Sequence, residues 1–151
     1  MRQISMSILW VTVLAVAGPP AHAQSQCQNV RGTINAQLRD PTENCPVATV
    51  AGDVFDESGN LIGTTTACIT NLQQAGEGAI HVDLTHWYTV NGVTFGTVDR
   101  GVLSPVGPLL YHFNNRLSIA TGASGFLRGH GTVNFETGAV NLRYHGRICS
   151  E

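Results

Sequence analysis

Residues 79–98 read AIHVDLTHWYTVNGVTFGTV, and their pattern decides the fold. Side chains of an extended strand alternate between its two faces. Ile80, Val82, Leu84, His86, Tyr88 and Val90 therefore share one face, and His81, Asp83, Thr85, Trp87 and Thr89 the other. The first set is the more apolar and is expected to point inward. The run ends at Asn91-Gly92, a dipeptide that favours the tight turn of a hairpin, which makes Val93 to Val98 the partner strand.

The same period of two recurs on both sides. Val47 to Phe55 and Leu61 to Thr70 flank the polar turn Asp56-Glu57-Ser58-Gly59-Asn60. Ser104-Pro105-Val106-Gly107-Pro108 reads as a surface loop, because two prolines remove ladder donors. Leu109 to Ala120 resumes alternation, with Leu109, Tyr111, Phe113, Leu117 and Ile119 in phase. Thr132 to Phe135 and Ala139 to Ile148 form a last hairpin, with Val140, Leu142, Tyr144 and Ile148 in phase. Leu72 to Ala75 is the only stretch with the makings of a helical turn, and Gly76 and Gly78 stop it. Seven or eight short strands with tight turns predict an all-β antiparallel barrel, since closure removes exposed strand edges.

The ends bound where such a chain works. Met1-Arg2-Gln3, an apolar run from Ile4 to Gly18 and Ala21-His22-Ala23 make a secretory leader, with cleavage after Ala23. The apolar run is shorter than the roughly 20 residues that a membrane-spanning helix needs. Residues 24–151 then form a single domain, expected in the periplasm or outside the cell, without membrane insertion. They carry seven arginines against ten carboxylates, no lysine, and no run of basic residues. This charge pattern argues against nucleic acid as a partner, and the lack of lysine excludes Schiff-base catalysis through a protein lysine.

Cys27, Cys45, Cys68 and Cys149 are an even set in an exported chain, which favours two disulfides. Bridging Cys27 or Cys149 would staple a chain end, and Cys27–Cys45 with Cys68–Cys149 is the pairing expected. No C-x-x-C, H-x-x-H or H-E-x-x-H spacing occurs, so no metal site is expected. Gly122-Ala123-Ser124-Gly125 is not the G-x-S-x-G of a serine hydrolase.

Asn115 to Val133 (NRLSIATGASGFLRGHGTV) resembles the strand, glycine turn and strand of the allene oxide cyclase and dirigent-like barrels, whose signature there is of the type TGGTG-F-x-G-A-x-G. Gly138 to Cys149 is similar to the closing strands of that family, and Gly52 to Cys68 to its early ones. Ala123 stands where the family often has Gly, and His130 where it often has Ala. The resemblance implies an eight-stranded, calycin-like barrel with a central cavity, often dimeric or trimeric. It further implies the cyclisation or orientation of small, mostly apolar molecules with no metal or organic cofactor.

Candidates for chemistry follow from the inward phase. A histidine side chain can exchange protons and a phenol can donate to a ligand carbonyl, so His86 and Tyr88 are both candidates at the barrel mouth. Asp99 and Arg100 are placed at a strand end, where a carboxylate can act as base beside a guanidinium, and Tyr144 completes the set of candidate acids and bases. Ile80, Val82, Leu84, Tyr111, Phe113 and Leu142 are the candidate lining of a pocket for a small apolar or aromatic molecule. Arg128 and His130, in the glycine segment, are candidates to bind an anion together. Three functions compete on this reading: a secreted barrel that binds a small molecule, a cofactor-free cyclase or isomerase, and an interaction module with a filled core.

Overall fold

A computed structural model of the protein describes residues 27–149. The leader expected over residues 1–23 lies outside them. The described chain is all β. Its strands are β1 (Cys27–Arg39), β2 (Ala48–Asp56), β3 (Leu61–Gln74), β4 (Ile80–Val90), β5 (Val93–Gly107), β6 (Leu110–Thr121), β7 (Ser124–Asn134) and β8 (Ala139–Cys149). Each strand pairs antiparallel with the next, and β8 pairs with β1 from Cys27↔Cys149 to Gln37↔Ala139, which closes the barrel.

The expected turns form for the expected reasons. Asn91 and Gly92 both have positive φ, 50° and 79°, the combination that a two-residue hairpin needs to match strand twist. The Asp56 carboxylate accepts from the Ser58 and Asn60 backbone N–H groups, each at 2.9 Å, and from the Asn60 amide at 3.0 Å. The charged form of Asp56 gains these bonds, chiefly those from Asn60, and its pKa is lowered accordingly.

Inside, the alternation of β4 holds as read: Val82, Leu84, His86 and Tyr88 are buried, while His81, Thr85, Trp87 and Thr89 are exposed. Leu109 does not join its expected face. It sits exposed in the turn before β6 with φ 56°. Buried apolar side chains from all eight strands make the core, and glycines make room for larger neighbours. A Cβ on Gly101 would lie 2.4 Å from the Phe113 ring, and one on Gly129 would lie 2.3 Å from Asn115 Oδ1.

Several boundaries differ from the sequence reading. Ser104 to Gly107 is strand, not loop: β5 runs past its last pairing with β4, Ile80↔Leu103, and continues against β6 alone. A proline is tolerated on such a half-paired edge, and the ladder accommodates it with an irregularity between Pro105 and Gly107. β7 begins at Ser124 instead of Thr132, β3 continues through Leu72 to Gln74 with no helical turn, and β1 was not anticipated.

The disulfides are Cys27–Cys149 and Cys45–Cys68, not the pairing expected from the sequence. Closure explains the first, because β1 and β8 place these two cysteines directly opposite each other, with Cα atoms 3.9 Å apart. The second ties the β1–β2 connection to the outward face of β3. Both belong to an oxidising compartment, outside the cytoplasm.

Candidate functional site

The barrel has two ends. One carries the Cys27–Cys149 bridge and the turns at residues 56–61, 90–93 and 121–124, and the other the connections at 39–48, 74–80, 107–110 and 134–139. Between them, four strands turn polar side chains into an otherwise apolar lumen. β3 supplies Thr65, β4 His86 and Tyr88, β5 Thr97 and Asp99, and β6 Asn115. Register brings them together, since Thr65 pairs with Tyr88, His86 with Thr97, and Leu84 with Asp99.

Asp99 is the centre of this cluster and is 0% exposed. The sequence reading put it at a strand end beside Arg100, but β5 is long enough to place it mid-strand. Its carboxylate points inward, while Arg100 points outward and pairs with Asp83 at 3.6 Å. Asp99 Oδ1 accepts from the Thr97 hydroxyl at 2.6 Å, and Oδ2 lies 2.9 Å from His86 Nδ1. A carboxylate only accepts, so this contact assigns the ring proton to Nδ1. Nε2 is then the lone pair facing the Thr65 hydroxyl, which it contacts directly. The same hydroxyl is 3.2 Å from the Trp87 carbonyl, a second acceptor for its one proton.

Tyr88 closes the group. Its hydroxyl is 3.1 Å from His86 Nδ1, and its ring stacks between those of His86 (4.2 Å between centroids) and Phe95 (5.1 Å). Burial pushes the Tyr88 phenol well above the usual tyrosine range, and the charges of Asp99 and Tyr144 push the same way, opposed by a hydrogen bond with Thr65. The phenol therefore stays a neutral donor. Asn115 is the discordant member: its Oδ1 is buried over Gly129 with no hydrogen-bond partner among the described residues.

Two spaces adjoin the cluster. Toward the 39–48 end lies a cavity of about 50 Å³, walled by Val82, Leu84, Phe113 and Leu142 and bordered by His86, Asp99 and Asn115. Ile80 and Tyr111 pack against the core but do not reach it. Toward the disulfide end the lumen opens into a recess of about 1400 Å³, lined within by Val54, Tyr88, Phe95, Ala123, Leu127 and Tyr144 and continuing outward past Phe126 and Arg147. Tyr144 thus stands apart from the His86–Asp99 pair. Its hydroxyl donates to the Phe55 carbonyl at 3.1 Å, and burial first, then the charge of Asp56, raises its pKa.

Three of the four candidate acids and bases, His86, Tyr88 and Asp99, are in direct contact. The sequence reading missed Thr65, Thr97 and Asn115. Each is a polar residue at an inward phase position, Asn115 falling between Phe113 and Leu117, and that is the signal that could have found them. Among the described residues, no group of three or more His, Cys, Asp or Glu side chains is placed to hold a metal ion. No protein-family model and no characterised protein sequence matches the chain.

Proposed function

We propose that the protein is a secreted, allene oxide cyclase/dirigent-like barrel that binds a small, mostly apolar molecule in its lumen. The observation that carries this reading is the recess at the Cys27–Cys149 end. The recess is open to solvent, with Arg31, Asp56, Glu57 and Arg147 on its rim, and its inner wall is apolar apart from the two phenols. Such a wall favours desolvated carbon surface, and the Tyr88–His86–Asp99 cluster beneath it provides a polar pole to orient a ligand oxygen.

The test uses N-phenylnaphthylamine, a neutral apolar probe that fluoresces on leaving water, together with native mass spectrometry of the mature protein for a co-purifying molecule. Ala123→Trp and Leu127→Trp fill the recess from its wall. Probe fluorescence should fall severalfold in both variants while the β circular-dichroism spectrum is kept. Equal fluorescence in the filled variants would overturn the assignment.

A second reading, a cofactor-free cyclase or isomerase, is favoured by one specific feature: a histidine backed by a buried carboxylate touches a phenol that holds its proton. A base that removes a proton from carbon and an acid that returns one to oxygen are the parts such a reaction needs. His86→Gln and Tyr88→Phe should each cut turnover of any identified substrate by 10²-fold or more, with little change in probe binding.

A further inference from the structure

The seven arginines of residues 24–151 are scattered singly along the sequence, yet the barrel collects most of them. Arg100 pairs in register with Arg116, Arg116 with Arg128, Arg128 with His145, and His145 with Arg31. All five are exposed, so one row of basic side chains, four arginines and a histidine, runs across β5, β6, β7, β8 and β1 on the outer face. Arg147 stands in the row on one side, and Arg143 with His130 in the row on the other. The strands Leu110–Thr121, Ser124–Asn134 and Ala139–Cys149 contain no Asp or Glu.

Acids cap the row only at its two ends, Asp83 on Arg100 and Glu57 on Arg31. Among the described residues, Arg116, Arg128, Arg143 and Arg147 make no ion pair. Like charges directly opposite on neighbouring strands destabilise a sheet, and strands sit only about 4.8 Å apart. Arg116 beside Arg128 is therefore an arrangement that an external anion would relieve.

We propose that this face binds a linear anionic polysaccharide, its carboxylate or sulfate groups taken by the guanidinium row from Arg100 to Arg31. Arginine forks match such planar or tetrahedral oxyanions. The occupant follows from the shape of the surface and its place outside the cytoplasm. The face is the outer wall of the barrel, bordering the recess at Phe126 and Arg147, and is built of strands alone, so no element projects into a nucleic-acid groove; among the described residues Phe126 is the one exposed Phe, Tyr or Trp beside the row, which makes a poor base-stacking platform. A flat bilayer touches a convex barrel along a narrow line. A flexible glycan chain with regularly spaced charges can follow the row around the curve.

The experiment titrates the full mature chain with polygalacturonate, dextran sulfate and uncharged dextran, and separately with single-stranded DNA and phosphatidylglycerol vesicles at matched charge. Binding to the two anionic glycans and none to dextran is expected, weakening with salt. Arg116→Gln/Arg128→Gln should reduce affinity at least tenfold and lower the slope of log K against log salt by about two. Arg143→Gln/Arg147→Gln, on the flanking rows, should reduce it less, and Arg39→Gln, at the far end of β1, not at all. Undiminished glycan binding by the Arg116/Arg128 double variant, equal binding of neutral dextran, or tighter binding of DNA or vesicles would overturn the proposal.

Discussion

Replacing Asp99 tests whether the buried cluster is a connected network. Asp99→Leu removes both acceptors at once and strands the Thr97 hydroxyl, whereas His86 can move its proton to Nε2 and accept at Nδ1 from the Tyr88 hydroxyl 3.1 Å away. A buried donor left without a partner costs about 1–3 kcal/mol. One such donor gives an expected loss of about 1–3 kcal/mol, against the roughly 5–15 kcal/mol that holds a domain together. Overpacking adds little, because the cavity of about 50 Å³ beside Asp99 takes the extra methyl groups.

Asp99→Asn should behave quite differently. The amide carbonyl still accepts from Thr97, while the amide N–H₂ now faces His86 Nδ1 and forces that nitrogen to become the acceptor. The ring proton moves to Nε2 and donates to Thr65, whose own hydroxyl turns to the Trp87 carbonyl 3.2 Å away. Every member is again satisfied, so the expected loss is about 1 kcal/mol or less. Urea unfolding supplies the free energies, and imidazole nitrogen chemical shifts report the change of tautomer. Thr97→Val in the Asp99→Leu background should recover about 1–3 kcal/mol, since it removes one stranded donor. An Asn variant as costly as the Leu variant, or a His86 tautomer unchanged by Asp99→Asn, would refute the network as described.

Other perturbations separate other parts of the structure. Tyr88 and Tyr144 have raised pKa values in the folded state, so at alkaline pH the unfolded chain releases protons that the folded one keeps. Their contribution is intact below the ordinary tyrosine pKa of about 10 and is lost as pH rises beyond it; unfolding midpoints followed through that range should fall, and fall less in Tyr88→Phe. Asn115→Leu removes a buried carbonyl that has no partner and should raise stability by about 1–3 kcal/mol, measured by urea unfolding; a loss instead would mean that the amide is already satisfied. For the disulfides, loop lengths set by sequence separations of 122 and 23 residues lead to losses of about 5 kcal/mol for Cys27→Ala/Cys149→Ala and about 3.5 kcal/mol for Cys45→Ala/Cys68→Ala. Peptide mapping of the unreduced protein should recover those two pairs and neither alternative.

The parts of this fold that could be read in advance are those where one face is continuously apolar. β4 and β8 announce themselves because Val82, Leu84, Val140 and Leu142 sit in phase with nothing small between them. β1 does not, since its inward positions pass through Gly32 and Ala36, which are too small to make alternation visible. β7 is hidden for the same reason, with small residues at Gly129 and Gly131: Asn115 takes the space at Gly129, and a Cβ on Gly131 would meet the β8 backbone at Asn141 and Leu142. The disulfide pairing was beyond local reading, because it depends on the last strand meeting the first.

Asp99 shows why the candidate site was only half legible. In sequence it follows a short apolar run and precedes Arg100-Gly101, which looks like a strand ending in a charged turn. Its burial becomes intelligible only when β5 is seen to continue, for then phase alone sends Asp99 inward with Phe95, Thr97 and Leu103, and sends Arg100 outward. The same parity sends Arg116, Arg128 and Arg147 to the outside while Leu117 and Leu127 pack within. One rule of alternation therefore makes two chemically opposite surfaces from interleaved residues. Inside, Asp99 lies fully buried with the Thr97 hydroxyl and His86 Nδ1 hydrogen-bonded to its two oxygens. Outside, guanidinium groups unpaired among the described residues stand side by side because only solvent, or an anionic partner, screens them.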